Sequence, residues 1–168
     1  IQDNGITIDG GELYHLKEGF EGPEKNLQVI FHRPDASGSS SLRTLVSRSR
    51  WDQMLELARC KILSVARGEA CDAYVLSESS MFVFDYRVVL KTCGTTRLLH
   101  ALDDLIAIGA SIGLLLRAVF YSRKNFTFSH LQHFPHTSFS EEVAFLEDRF
   151  SGSSTITGPS NGDHWCFY

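Results

Sequence analysis

The 168-residue sequence has no apolar run of the roughly 18 residues that a membrane-spanning helix needs. Its greasiest stretch, Leu98 to Phe120, is broken by Asp103, Asp104, two glycines and Arg117. It has no basic-then-apolar leader at the N-terminus. It has no excess of positive charge: 16 Lys and Arg stand against 20 Asp and Glu, for a net charge of -4, with no local basic patch. Nucleic acid, anionic membranes and polyphosphates are therefore not the expected partners. Cysteine is sparse and irregular, at Cys60, Cys71, Cys93 and Cys166, with no CxxC pair. Without a secretory leader this reads as reduced thiols in the cytoplasm. Zinc-finger and HExxH spacings are missing too. His130, His133 and His136 are evenly spaced in a Pro- and aromatic-containing loop, and no metal is expected there. No internal repeat or low-complexity tract occurs.

What is present describes a globular domain. Hydrophobic residues make up 43% and charged residues 21%, and the length suits one core. The sequence opens at Ile1 without Met and closes on a strand-like run, His164 to Tyr168, so a piece of a longer protein is expected. Residues 1–19 read as an extension and 20–168 as the domain. Asn26 to His32 alternates like a half-buried strand. Ser49 is the expected N-cap of a helix whose stripe is Trp51, Met54, Leu55 and Ala58. Ile62–Ala66, Ala73–Leu76, Met81–Phe84, Arg87–Lys91 and Leu114–Tyr121 read as strands, with Asp85-Tyr86 as a tight hairpin. Thr95 or Thr96 is expected to cap a second helix with Leu98, Leu99, Leu102, Leu105 and Ile106 as its stripe, stopped by Gly109. Ser138 to Glu141 forms a capping box ahead of Val143, Leu146 and Phe150. Two short strands around Gly158-Pro159 and Asn161-Gly162 end the chain. The expected class is α+β, an antiparallel sheet with helices on one face and an apolar second face in need of a cover.

Three stretches carry candidate chemistry. In Tyr74-Val-Leu-Ser-Glu-Ser-Ser-Met-Phe-Val83 a strand-like run is broken by Ser77-Glu78-Ser79-Ser80. A plain turn is the ordinary reading, yet no Gly, Pro, Asn or Asp is there to make one easily. The chemical reading is self-attack: the Ser79 hydroxyl adds to the Glu78 carbonyl carbon in an N→O acyl shift, which needs a base and relief of backbone strain. Cys93 follows a strand and precedes a capped helix. A helix N-terminus lowers a thiol's pKa, and Lys91, two residues back on the same strand face, would reinforce this. The alternative is a buried structural thiol. Phe20, Glu21 and Glu24 flank a Gly-Pro turn, either a solvated turn or an aromatic platform with carboxylates for a polar ligand.

Together, FEGPEK (20–25), YVLSESSMFV (74–83), LKTCGTT (90–96), FYSRKNF (120–126) and, more loosely, EEVAFL (141–146) resemble the eukaryotic S-adenosylmethionine decarboxylase proenzymes, in order and in spacing, from about Phe20 onward. The resemblance implies a precursor that cuts itself between Glu78 and Ser79. Ser79 would become a pyruvoyl group, through an ester, β-elimination and hydrolysis with loss of ammonia. Its carbonyl would form a Schiff base with S-adenosylmethionine and accept electrons as CO₂ leaves, toward spermidine and spermine biosynthesis. Cys93 matches the proton donor. Phe20, Leu76 and Glu78 match adenine-contacting positions, Glu21 and Glu24 carboxylates near the substrate, and Lys25 and Lys91 a charged network; Ser77 has no separate role.

The family fold is a four-layer αββα sandwich, of which this chain would be one half. The second half, or a second copy of the chain, would be the partner. That second half supplies the Ser and His that assist processing, a second adenine-stacking Phe and a ribose-binding Glu. Gln28 stands where the family usually has Glu in a network linked to putrescine stimulation, which leaves putrescine activation open. The competing reading is a non-catalytic paralogue or fragment that assembles with and regulates an active decarboxylase. Such paralogues lose the pyruvoyl-forming serine, which is present here.

Overall fold

A computed structural model describes residues 23–35, 38–92, 98–125, 142, 144–150, 156–160 and 163–167. The N-terminal extension, the Thr95/Thr96 cap, the histidine run and the Ser138–Glu141 capping box lie outside the described residues. The strands are β1 (Pro23–His32), β2 (Ile62–Arg67), β3 (Asp72–Leu76), β4 (Ser79–Val83), β5 (Arg87–Thr92), β6 (Leu115–Asn125), β7 (Ile156–Ser160) and β8 (Asp163–Phe167). The helices are α1 (Leu42–Leu45), α2 (Arg48–Leu57) and α3 (Leu102–Ser111), the last entered through a 3-10 turn at Leu98–Ala101. Residues 144–149 are also helical. The strands form one antiparallel sheet in the order β2-β3-β4-β5-β1-β6-β8-β7. The expected α+β class is what the chain adopts. Pro159 is tolerated because β7 is a sheet edge.

Pairing turns strand alternation into transverse rows. On the covered face one row is Asp72, Val83, Val88, Val29 and Val119, and the next is Tyr74, Met81, Leu90, Leu27 and Tyr121. All ten side chains are buried. The α2 stripe packs into the same core, with Trp51, Met54, Leu55 and Ala58 fully buried. Leu98, Leu102, Leu105 and Ile108 join them from the following helical segment.

Two boundaries differ from expectation. The α2 N-cap is Ser47, whose extended backbone lets its Oγ accept from Arg50 N at 3.2 Å. Gly109 does not stop α3. The helix runs to Ser111 and the turn beyond it uses Gly113 at φ +82. Gly109 is there for close approach: a methyl at that position would lie 2.6 Å from Cζ and 2.7 Å from Cδ1 of Phe31. Phe31 is buried in β1 and has nowhere to go. Gly109→Ala should therefore destabilise the protein by about 1–3 kcal/mol, although alanine gains about 1 kcal/mol of helix propensity. Thermal melts of Gly109→Ala with and without Phe31→Leu check this. An alanine variant more stable than the parent would refute the contact.

Arg50 and Asp104 tie α2 to α3 through paired bonds of 2.7 and 2.6 Å. The hydrogen bond from Arg50 holds the Asp104 carboxyl below its ordinary range, against the opposing effect of burial. A depressed carboxyl contributes stability above its unfolded pKa and loses it as pH falls through the folded one. The pair is partly exposed, so its worth is about 1 kcal/mol. Wild type should exceed Asp104→Asn by that amount at neutral pH. The gap should close as pH drops below about 4, measured by denaturant titration at several pH values. A gap independent of pH would contradict it.

The second face of the sheet is less apolar than expected. A polar row of Ser80, Lys91, Asn26 and Ser122 lies beside a mixed row of Ala73, Phe82, Val89, Gln28 and Phe120. Val75 on this side remains 49% exposed.

Candidate active site

The polar knot is a turn and a strained bond at once. Ser77 and Glu78 form the two-residue loop between β3 and β4, with Leu76 paired to Ser79. Loops of this length favour primed turns, which place the first loop residue at positive φ and call for glycine or asparagine. Neither Ser77 nor Glu78 has positive φ; Ser79 does, at +144°. The mismatch between an unprimed loop and the twisted strands is absorbed by the residue after it. That backbone region belongs almost to glycine alone, and holding serine there costs on the order of 1–3 kcal/mol.

Register places Ser79 among particular neighbours. Ser79 pairs with Thr92 of β5, and Thr92 pairs with Lys25 of β1. With Leu76 they make the third row of the covered face, where Ser79, Thr92 and Lys25 stand in succession on strands that carry apolar residues in the other two rows. Thr92 is fully buried, Lys25 is 5% exposed and Leu76 3%. Ser79 is exposed and Glu78 half-buried. So an exposed hydroxyl on a strained residue stands directly across from the residue that precedes Cys93.

The other expected positions fall as follows. Glu24 is in β1, next to Lys25 and opposite Lys124. Lys91 pairs with Ser80 and Asn26, one residue out of phase with Thr92, so Lys91 and Lys25 lie on opposite faces of the sheet. Phe20, Glu21 and Cys93 lie outside the described residues. Among the described residues no three His, Cys, Asp or Glu side chains are grouped to hold a metal ion, and no helix is long and apolar enough to cross a membrane.

Sequence reasoning missed Ser77 and Thr92. Ser77 accepts a hydrogen bond at Oγ from Lys61 N at 3.1 Å and donates its own N–H to Lys61 O at 2.9 Å. The missing turn glycine was the available signal that some side chain must help to form the loop. Thr92 carries no such signal, because register is not written in its neighbours.

A family model for adenosylmethionine decarboxylase matches residues 17–168. The chain belongs to the adenosylmethionine decarboxylase family. Among curated relatives, the S-adenosylmethionine decarboxylase proenzyme of Dictyostelium discoideum is 43% identical, over 95% of this chain and 46% of its own length. The proteins of the same name from Xenopus laevis and Onchocerca volvulus are 46% and 45% identical, each over 89% of this chain, and over 45% and 41% of their own lengths. The chain thus spans less than half the length of these relatives.

Proposed function

We propose that this chain is the N-terminal part of a self-cleaving, pyruvoyl-dependent S-adenosylmethionine decarboxylase serving polyamine biosynthesis in the cytoplasm. The observation that carries the reading is Ser79 at φ +144°, exposed at the start of β4, at the Glu-Ser bond of a chain from this family. A bond to be broken by its own side chain gains from strain in the reactant.

The steps follow from the residues. Ser79 Oγ adds to the carbonyl carbon of Glu78, the C–N bond breaks, and the nitrogen takes the hydroxyl proton. The resulting ester frees the backbone at Ser79 from the strained conformation. Loss of the Ser79 Cα proton then expels the Glu78 carboxylate. Addition of water with release of ammonia leaves a ketone at position 79, and residues 1–78 become a separate chain. A serine hydroxyl is a weak nucleophile, so a base must assist; family resemblance puts the assisting Ser and His beyond this chain.

Once formed, the pyruvoyl group supplies an electron sink for loss of the substrate carboxylate. An exposed residue at the polar end of the covered face suits that task, since substrate must reach it. Cys93, next to the residue opposite Ser79, returns the proton. Phe20, Leu76 and Glu78 hold the adenine. Glu21 and Glu24 favour the sulfonium cation, and Lys25 and Lys91 tune the surrounding charge. Putrescine is the candidate activator, with Gln28 in place of a carboxylate weakening its site. The remaining half of the protein, or a second copy of this chain, covers the second face.

The test is intact-mass analysis of the full-length protein. Two chains split after Glu78 are expected, the larger carrying a borohydride-reducible carbonyl. One uncut chain that releases no CO₂ from carboxyl-labelled S-adenosylmethionine would sink the reading.

A further inference from the structure

We propose that Ser77 is a positioning residue for the cut at Glu78-Ser79, its hydroxyl standing in for its own carbonyl in the β2–β3 ladder. The inference rests on the self-cleavage reading and adds a residue that the reading does not use.

The register carries the argument. Ile62 pairs with Leu76, so Lys61 and Ser77 are the next two residues across the ladder. Opposed residues of a hydrogen-bonded antiparallel pair exchange two N–H···O=C bonds. Here only one of the two is regular, from Ser77 N to Lys61 O at 2.9 Å. The return bond, from Lys61 N, ends on Ser77 Oγ at 3.1 Å. The side chain has replaced the main-chain acceptor. Ser77 stays docked to β2 while its carbonyl is released to start the turn.

That exchange sets the next two peptides. If Lys61 N bonded the Ser77 carbonyl, the Ser77–Glu78 peptide would be fixed in the ladder plane and could not enter the loop as it does. With the carbonyl free, the loop closes in two residues of negative φ and the deficit falls on Ser79. Lys61 is a firm anchor. The chain leaves α2 through Arg59 at φ +60, with Cys60 N bonded to Leu55 O at 2.9 Å and Cys60 buried. The strained bond is therefore clamped, through Ser77, to the end of a helix whose stripe is in the core.

Removing the hydroxyl leaves Lys61 N to take water or the Ser77 carbonyl. Either frees the loop to relax and lowers the population of the strained precursor. Ser77→Ala in the full-length protein should cut about tenfold more slowly than wild type, the worth of one hydrogen bond expressed as a rate. Ser77→Thr, which keeps the acceptor, should restore the wild-type rate. Hydroxylamine reports the ester directly, by taking its acyl group to give a Glu78 hydroxamate and a free Ser79 amine; less of this product is expected in the alanine variant. Folding is read separately, by comparing the melting of Ser79→Ala with that of Ser77→Ala/Ser79→Ala.

Slow cutting with near-equal melting and rescue by threonine supports the inference. Cutting of Ser77→Ala at the wild-type rate overturns it, as does failure of threonine to rescue. A loss of melting temperature large enough to account for the slowing also overturns it, since the bond would then serve stability alone. If wild type itself is not cut after Glu78, it is the self-cleavage reading that has failed.

Discussion

Ser79→Ala leaves the full-length protein as a single chain. The variant keeps the loop, the ladder bonds of Ser77 and the pairing of position 79 with Leu76 and Thr92. It removes the hydroxyl proposed to attack the Glu78 carbonyl carbon. Alanine at φ +144° is as strained as serine, so strain without a nucleophile is all that remains. Spontaneous hydrolysis of a peptide bond is too slow to replace the missing step, and no second band should appear on prolonged incubation. Ser79→Gly makes the complementary point. It too stays uncut, but glycine accepts this backbone conformation, and the variant should be more stable than Ser79→Ala by about 1–3 kcal/mol. Mass spectrometry reads the first result and denaturant titration the second. Normal cutting of Ser79→Ala would remove Ser79 as the nucleophile. Equal stability of the alanine and glycine variants would remove the strain.

The elements that could be read from the sequence are those whose pattern is local. The alternation of Asn26 to His32 and the spacing of Trp51, Met54, Leu55 and Ala58 each report burial on one face, and those faces are buried. The Asp85-Tyr86 turn was legible for the same reason, and is closed by Phe84 N to Arg87 O at 2.8 Å. The α2 cap was not. Ser47 and Ser49 both precede arginine and are equivalent as letters. Only the backbone at Ser47, φ -74 and ψ 156, turns its hydroxyl onto Arg50 N. Gly109 carried two meanings, helix end and close contact, and a single sequence does not distinguish them. At Ser77 to Ser80 the turn is present, closed by the pairing of Leu76 with Ser79, and it leaves room for the cleavage proposed there. The motif singles out Glu78-Ser79 as the candidate bond. The strain at Ser79 and the row it shares with Thr92 and Lys25 come from register and backbone angles, which no residue type announces.

The largest stability loss is expected at the far end of β3, the strand that leads into the Ser77-Glu78 loop. Asp72 opens β3 with its side chain 2% exposed. Its carboxylate accepts from Arg43 at 3.1 Å and also from Arg67. Arg43, at 19% exposure, donates in addition to Glu69 O at 2.8 Å and to Gly68 O, so the pair closes the turn from β2 to β3 against α1. Asp72→Ala removes the anion and leaves Arg43 largely desolvated, at a cost of about 3 kcal/mol. Asp72→Asn keeps one acceptor and should cost less. Arg67 is mostly exposed, and Arg67→Ala should cost far less than either, because water screens that bond. Denaturant titration in the uncut Ser79→Ala background measures all three without interference from cleavage. Equal losses for Asp72→Ala and Arg67→Ala would show that burial at Asp72 has no energetic weight. With Ser79 intact, Asp72→Ala should yield less cut protein on warming, because fewer molecules are folded, and should recover on cooling. Ser79→Ala should not recover at any temperature. That contrast separates a residue that holds β3 in place from the proposed nucleophile at the start of β4.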